Sequence, residues 1–69
     1  MPLSMLSPGQ EGVIRAITGQ DEARAHLAQM GFVVDAVVKV VSSLGGSLIL
    51  QVKDSRVALD RSMANRIMI

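Results

Sequence analysis

Apolar residues recur at helical spacing in one segment of the chain, residues 21–30. Ala23, Leu27 and Met30 fall at positions i, i+4 and i+7, which places them in one stripe along a helix. Polar side chains occupy most of the other positions. The pattern predicts one short helix with one apolar face.

Capping signals bound this helix at both ends. Asp21 suits the positive end of the helix dipole and serves either as the N-cap or as the partner of Thr18 in a capping box. Gly31 can adopt the left-handed conformation that ends a helix, and Phe32 would then pack back onto Leu27. Phe32 is the only aromatic residue, and we predict that it lies in the core.

Shorter segments on either side alternate in the manner of strands. Residues 11–17 alternate imperfectly, so we expect a bulge or a bend there. Residues 36–41 and 48–52 predict a hairpin whose inner face holds Val38, Val40, Leu48 and Leu50. Because side chains alternate along strands, this shared face requires a loop of odd length, which a three-residue loop at 43–45 would provide.

The carboxyl-terminal part predicts a second hairpin and a last strand. A two-residue loop at 54–55 would pair Val52 with Val57 and Leu50 with Leu59. Asp60 is expected to cap one helical turn. A short strand at residues 66–69 would follow, with Ile67 and Ile69 inward and Met68 outward.

Five short strands and little helix predict a mostly β fold, a small antiparallel β-barrel formed by residues 1–69 as a single domain. One short α-helix is inserted after the first strand, and a one-turn helix precedes the last strand. Closure would remove the exposed strand edges that make an aliphatic chain prone to aggregation.

Composition narrows the classes of function. The 69 residues include no cysteine and carry a net charge of +1, so disulfides and thiolate metal sites are excluded and no strong electrostatic partner is predicted. The longest apolar run is broken by Asp35 and Lys39 and is too short to span a membrane. No signal peptide is predicted, and a cytoplasmic protein is expected.

Few residues of the chain are candidates for catalysis or for binding a metal or phosphate. Glu22 and His26 lie four residues apart and could offer two metal ligands, but with one histidine in the chain an exposed helix face is the better interpretation. The serines lack a catalytic partner and are interpreted as turn and cap residues. Gly45-Gly46 lacks the context of a phosphate loop and reads as a hairpin turn. We therefore predict no catalytic residue, no bound metal and no cofactor.

Binding of nucleic acid is not favoured either, because single-strand binders need aromatic platforms and a basic groove. Lys39, Lys53 and Arg56 share the outer sheet face and are interpreted as solvated positions that discourage edge pairing. The apolar residues that point away from the core are better candidates for a partner contact, unless the chain itself covers them. They are Val37, Val41, Ile49 and Met68 in the strands, and Val33 and Val34 after the helix.

Several short motifs in this order resemble the FeoA family, the small cytosolic accessory proteins of bacterial ferrous iron uptake. No single motif is specific, but together they extend from Leu3 to Ile69. They are Leu3 and Leu6 before Pro8-Gly9, Ile14 and Ile17, Leu27 with Met30-Gly31-Phe32, Val38 with Val40-Val41, Val57-Ala58-Leu59, and Met63-Ala64-Asn65 with Ile67-Met68-Ile69.

The resemblance implies an SH3-like barrel with a helix after the first strand. It also implies a non-enzymatic role in docking on, and modulating, a FeoB-like membrane transporter with a cytoplasmic G-protein domain. Two other functions stay open: a stand-alone regulatory module related to the C-terminal domain of metal-responsive repressors, and an iron-binding chaperone, which the ligand count disfavours. Direct membrane insertion is not expected, and a weak homo-oligomer stays open.

Two departures from the family pattern bear on the partner contact. Val34-Asp35 stands where the family usually has Pro-Gly, so the turn there is less firmly determined. His26 stands where the family often has arginine, which implies a weaker or pH-dependent contact. Arg24 and His26, on the polar face of the helix, complete the set of predicted partner-contact residues.

Overall fold

Alternating segments give six short strands and two short helices in the computed structural model, which describes residues 1–69. Leu3–Met5 forms a 3-10 helix before them. In chain order the elements are β1 (Glu11–Val13), β2 (Ala16–Ile17), α1 (Asp21–Gln29), β3 (Val37–Leu44), β4 (Ser47–Val52), β5 (Ser55–Asp60), α2 (Arg61–Ala64) and β6 (Ile67–Met68).

All strand pairs are antiparallel, and they form two sheets. One has the order β1-β3-β4-β5, and the other pairs β2 with β6. The fold is therefore mostly β, as predicted, but no strand ladder joins the two sheets to each other. The closed barrel that the pattern predicted is open, because β2 pairs only with β6, and β6 adds only an isolated bridge between Met68 and Pro2.

The expected bend in the first strand is confirmed at Ile14, where the chain leaves one sheet for the other. β1 pairs with β3, whereas β2 pairs with β6. Between them, the Ile14 N–H donates to the Ala36 carbonyl at 2.9 Å and its own carbonyl accepts from the Asp35 N–H at 2.8 Å. The Ile14 side chain is fully buried, which explains the imperfect alternation.

The core lies between the two sheets and contains only apolar side chains. Phe32 is the largest fully buried residue, as predicted, and the inner residues predicted for β3 and β4 are also buried. The twelve buried residues are Leu3, Ile14, Leu27, Phe32, Val38, Val40, Leu48, Leu50, Val52, Leu59, Ala64 and Ile67.

The end of α1 follows the prediction, whereas its start does not. The Phe32 N–H donates to the Leu27 carbonyl and the Gly31 N–H to the Ala28 carbonyl, both at 3.0 Å. With φ at +98° for Gly31, these bonds form a Schellman motif. At the other end the N-cap is Gln20, without a side-chain bond, so both predicted caps were wrong.

The loop between β3 and β4 is shorter than predicted. β3 extends to Leu44 and the loop has two residues, Gly45 and Gly46. The register shifts by one at Val41, so that Val40 opposes Leu50 while Ser42 opposes Ile49. An extra residue in one strand changes the side-chain parity as an odd loop would, because a bulge sets two residues against one.

The second hairpin also differs in register from the prediction. Its loop is Lys53-Asp54, with Lys53 at φ +53°. Leu50 consequently opposes Val57, and Leu48 opposes Leu59. The change moves the pairing by two residues, which keeps every side chain on its predicted face since strands alternate with a period of two.

The carboxyl-terminal predictions are largely confirmed. The Asp60 side chain accepts from the Met63 N–H at 2.9 Å and caps α2. Ile67 is buried, whereas Met68 and Ile69 are both half-buried. The Ile69 N–H donates to the Met1 carbonyl at 2.8 Å, so the last residue adds to the sheet beyond β6.

The turn before β3 yields a first prediction. The Ala36 N–H donates to the Val33 carbonyl at 3.1 Å and Asp35 has φ +75°, the geometry of a type II turn that favours glycine. We expect Asp35→Gly to raise the free energy of unfolding by about 0.5–1 kcal/mol, because it removes left-handed strain. Urea unfolding measures this. Asp54→Gly, at a turn position without positive φ, should give no gain; an equal gain there would refute the assignment to strain.

Candidate partner-binding surface

A second stripe of residues on α1 faces away from the core. Asp21, Arg24, Ala25 and Ala28 recur at helical spacing, beside the stripe that carries Leu27 into the core. All four side chains are exposed. The two alanines project only methyl groups, so the helix surface is low along this line and leaves space above it.

The segment after α1 forms the opposite wall of this space. The Schellman motif turns the chain sharply after the helix, and the type II turn at 33–36 returns it to β3. Val33 and Val34 between these two turns remain 39% and 54% exposed. Together the helix, the turn and the end of β2 enclose an open groove of about 370 Å³.

We call this space the helix groove; its lining residues are Ile17, Asp21, Arg24, Ala25, Ala28, Phe32, Val33 and Val34. Six of the eight are hydrophobic, and Phe32 forms part of the floor although it is buried. Its volume lies near the lower limit of small-molecule sites, which are about 300–1,000 Å³. An apolar side chain of a protein partner suits it better than a large cofactor.

The charges at the rim of the helix groove neutralise each other. Arg24 Nη1 lies 3.6 Å from Asp21 Oδ1, with both side chains more than half exposed. No other ion pair between side chains occurs in the structure, and an exposed pair of this kind contributes little to stability. The groove therefore presents an apolar floor with a balanced polar rim, as protein interfaces commonly do.

A second concavity of about 420 Å³ lies on the outer face of the four-stranded sheet. Glu11, Val37, Lys39, Gln51 and Lys53 line it. Only one of these five is hydrophobic. It is a polar depression, and its basic residues are exposed as expected.

The predicted contact residues divide into three sets. Arg24, Val33 and Val34 meet at the helix groove. Val37 is 52% exposed and lines the polar depression instead. The other four are dispersed: His26 is exposed on α1 outside the groove, and Val41, Ile49 and Met68 are half-buried.

Sequence reasoning missed several residues of these surfaces. Ala25 and Ala28 were overlooked because small residues carry no chemistry of their own, although their spacing with Asp21 was visible. Val13 was also missed; it is 43% exposed and opposes Val37 in the β1–β3 ladder. The imperfect alternation of its segment concealed which way it points.

The structure brings no group of metal-ligating side chains together. No three histidine or acidic side chains lie close enough together to hold a metal ion. No buried polar side-chain atom lacks a hydrogen-bond partner. None of the helices has the length and hydrophobicity required to cross a membrane.

The similarity of this chain to known proteins extends over essentially its whole length. The family model of the FeoA domain matches residues 1–69. The crystal structure of an iron uptake regulatory protein (FeoA) superposes with a TM-score of 0.89 at 35% identity, covering 96% of this chain and 88% of that one. A protein of Methanocaldococcus jannaschii, named provisionally as Fe(2+) transport protein A, is 29% identical over 68 residues, 99% of this chain and 83% of its own.

Two further structures bear on the fold. The zinc complex of Stenotrophomonas maltophilia FeoA, described as a procaryotic SH3 domain protein, is 31% identical with a TM-score of 0.83, covering 99% of this chain and 87% of that one. The expected SH3-like fold is thereby confirmed. A manganese-dependent transcriptional repressor is also similar, with a TM-score of 0.88 over 97% of this chain and 39% of the repressor, but at 18% identity it shares the fold alone.

Proposed function

Because the chain belongs to the FeoA domain family, we propose that it is a non-enzymatic accessory protein of ferrous iron uptake. It docks on the cytoplasmic part of a FeoB-like transporter and modulates transport. The proposal includes a cytoplasmic location and the absence of a catalytic step. The observation that supports it most directly is the helix groove, an apolar surface that the chain leaves uncovered.

The helix groove suits an apolar anchor residue of the transporter. Binding energy at protein interfaces concentrates where a side chain enters a pocket that excludes water. Ala25 and Ala28 provide the depth for such a side chain, and Val33 and Val34 provide an apolar wall. The Arg24–Asp21 pair at the rim can orient the partner without a net charge.

A groove-filling substitution tests the docking proposal. We expect Ala28→Arg to weaken binding to the purified cytoplasmic domain of the FeoB-like transporter at least about tenfold, because the long side chain occupies the anchor space. Isothermal titration calorimetry measures the dissociation constant. Gln29→Arg is the matched control, since it adds the same side chain to the next, exposed position, which does not line the groove.

The possible outcomes distinguish an incorrect partner from an incorrect binding surface. If the wild-type chain does not bind the transporter domain at micromolar concentrations, the docking proposal fails. If it binds and both arginine variants bind equally well, the partner is right and the helix groove is the wrong surface. Retained helical and strand signals in circular dichroism establish that each variant is folded.

The likeness to the repressor in fold supports a second candidate function, a stand-alone regulatory module. Such a module would bind a metal-responsive repressor and not the transporter. The same calorimetric experiment with the purified repressor distinguishes the two candidates.

A further inference from the structure

The β5 edge of the four-stranded sheet has no neighbour. β5 pairs with β4 on one side only, and no other element pairs with it. Its six residues pair in continuous register, without a bulge or a proline. Natural sheets use such irregularities to protect their edges, so a long regular edge strand is able to accept another strand.

The opposite edge of the same sheet is β1, which has only three residues and also pairs on one side only, while the end of the chain packs against its face. A side-chain carbon at Gly12 would lie 3.0 Å from Ile69 Cδ1. Just beyond β1, the Arg15 N–H donates to the Met68 carbonyl at 2.8 Å. β5, with six residues in continuous register, is therefore the longer and more regular of the two free edges.

The hairpin register identifies the backbone groups on that edge. Val52 and Ser55 flank the two-residue loop and oppose each other. In an antiparallel ladder, alternate residues turn their N–H and C=O groups away from the paired strand. On β5 these residues are Arg56 and Ala58, followed by Asp60 at the strand's end. Their side chains share the outer face and are exposed.

The charges along this edge are self-complementary. In an antiparallel pair of two β5 strands centred on Ala58, each residue opposes the residue that lies equally far from Ala58 on the other side. Arg56 of each strand then opposes Asp60 of the other, because the two residues lie equally far from Ala58. Oppositely charged residues directly across a strand pair stabilise it, and like charges there destabilise it. The same arrangement makes Ala58 face Ala58, where a small side chain allows close approach.

We propose that this chain forms a weak symmetric dimer in which the β5 strands of two copies pair antiparallel about Ala58, joining both four-stranded sheets into one sheet of eight strands. The occupant of the free edge is a second copy of this chain. The charge order supports this choice, since a foreign strand would match the Arg56–Asp60 spacing only by coincidence. The inference does not depend on the proposed function, because the helix groove lies outside β5.

Dimer formation would also cover apolar side chains next to the edge. Ile49 opposes Ala58 in the β4–β5 ladder, and both share the outer face. Across the twofold axis, the two alanines and two isoleucines would form one continuous apolar row. On the inner face, half-buried Val57 would oppose Leu59 of the second copy. Ile49 would thus acquire the partner contact predicted for it.

A concentration series tests the dimer. We expect sedimentation equilibrium of the full chain to show reversible self-association between about 10 µM and 1 mM, as expected of a weak dimer. Arg56→Asp sets like charges opposite each other at both ends of the ladder and should weaken the dimer about tenfold or more. Lys53→Asp is the matched control, because it makes the same charge reversal in the loop, outside the β5 pairing, and should leave the dimer intact.

A mixture of two charge-reversed variants gives the most decisive test of the proposed dimer. Arg56→Asp and Asp60→Arg chains each repel themselves, but together they restore opposite charges at both ends, so the mixture should dimerise more tightly than either variant. Ala58→Pro removes the central donor and should abolish dimerisation. Because Asp60 also caps α2, an NMR spectrum must show that the Asp60→Arg chain is folded. If it is unfolded, Asp60→Asn replaces it, since asparagine keeps a capping oxygen and removes the charge, and its mixture with Arg56→Asp should dimerise more tightly than Arg56→Asp alone. A chain that stays monomeric at 1 mM, or variants that dimerise as tightly as the wild type, would overturn the proposal.

Discussion

Replacement of Phe32 by alanine is expected to lower the free energy of unfolding by about 3–5 kcal/mol. Phe32 is the largest fully buried side chain of the core, and its removal leaves a cavity that the strands cannot fill. A domain of 69 residues has a total stability of only about 3–10 kcal/mol. The variant should therefore be largely unfolded or close to its unfolding midpoint in buffer.

Urea unfolding followed by circular dichroism measures the effect of Phe32→Ala. Val34→Ala is the matched control, two residues away in the same loop but 54% exposed, and should change stability by less than about 0.5 kcal/mol. Phe32→Leu, which keeps part of the volume, gives a measurable intermediate loss if the alanine variant does not fold. Equal midpoints for the Phe32→Ala and wild-type chains would contradict the assignment of the core.

Leu27→Ala is the second substitution with a large expected effect, a loss of about 2–5 kcal/mol. Its physical consequence differs from that of Phe32→Ala, because Leu27 is the only fully buried residue of α1. The helix has nine residues, too few to be stable in water without tertiary packing. We expect α1 to detach before the sheets unfold, taking one wall of the helix groove with it.

Amide hydrogen exchange distinguishes this local opening from global unfolding. The amides of α1 should exchange far faster in Leu27→Ala than in the wild-type chain, while those of β4 retain more protection. Gln29→Ala, an exposed position on the same helix, should leave the exchange of α1 unchanged. Uniform loss of protection in α1 and β4 would instead indicate that helix and sheets form one cooperative unit.

The two losses should not add. The Phe32 N–H donates to the Leu27 carbonyl at 3.0 Å, and both side chains belong to one core cluster. Residues in contact typically show interaction energies of about 0.5–3 kcal/mol. The Schellman ending thus joins the stability of the core to the position of α1, and through α1 to the shape of the helix groove.

The residues of the helix groove illustrate what sequence reasoning can find in a site. Val33 and Val34 were identifiable because two adjacent valines after a helix stop have no evident place in the core. Ala25 and Ala28 were not, since an alanine signals a groove only when a second wall is known to face it. Val37 seemed equivalent to Val33 and Val34, yet the structure places it on a different surface.

Local chemistry along the chain was enough to determine the elements, the end of α1, the cap of α2 and most of the inner faces, because each depends on neighbours within a few residues. The loop lengths, the bulge at Val41 and the free edge at β5 were decided only by the tertiary structure. A hairpin satisfies side-chain parity equally well with an odd loop or with an even loop and a bulge. Only the packing of both sheets against one core selects between them.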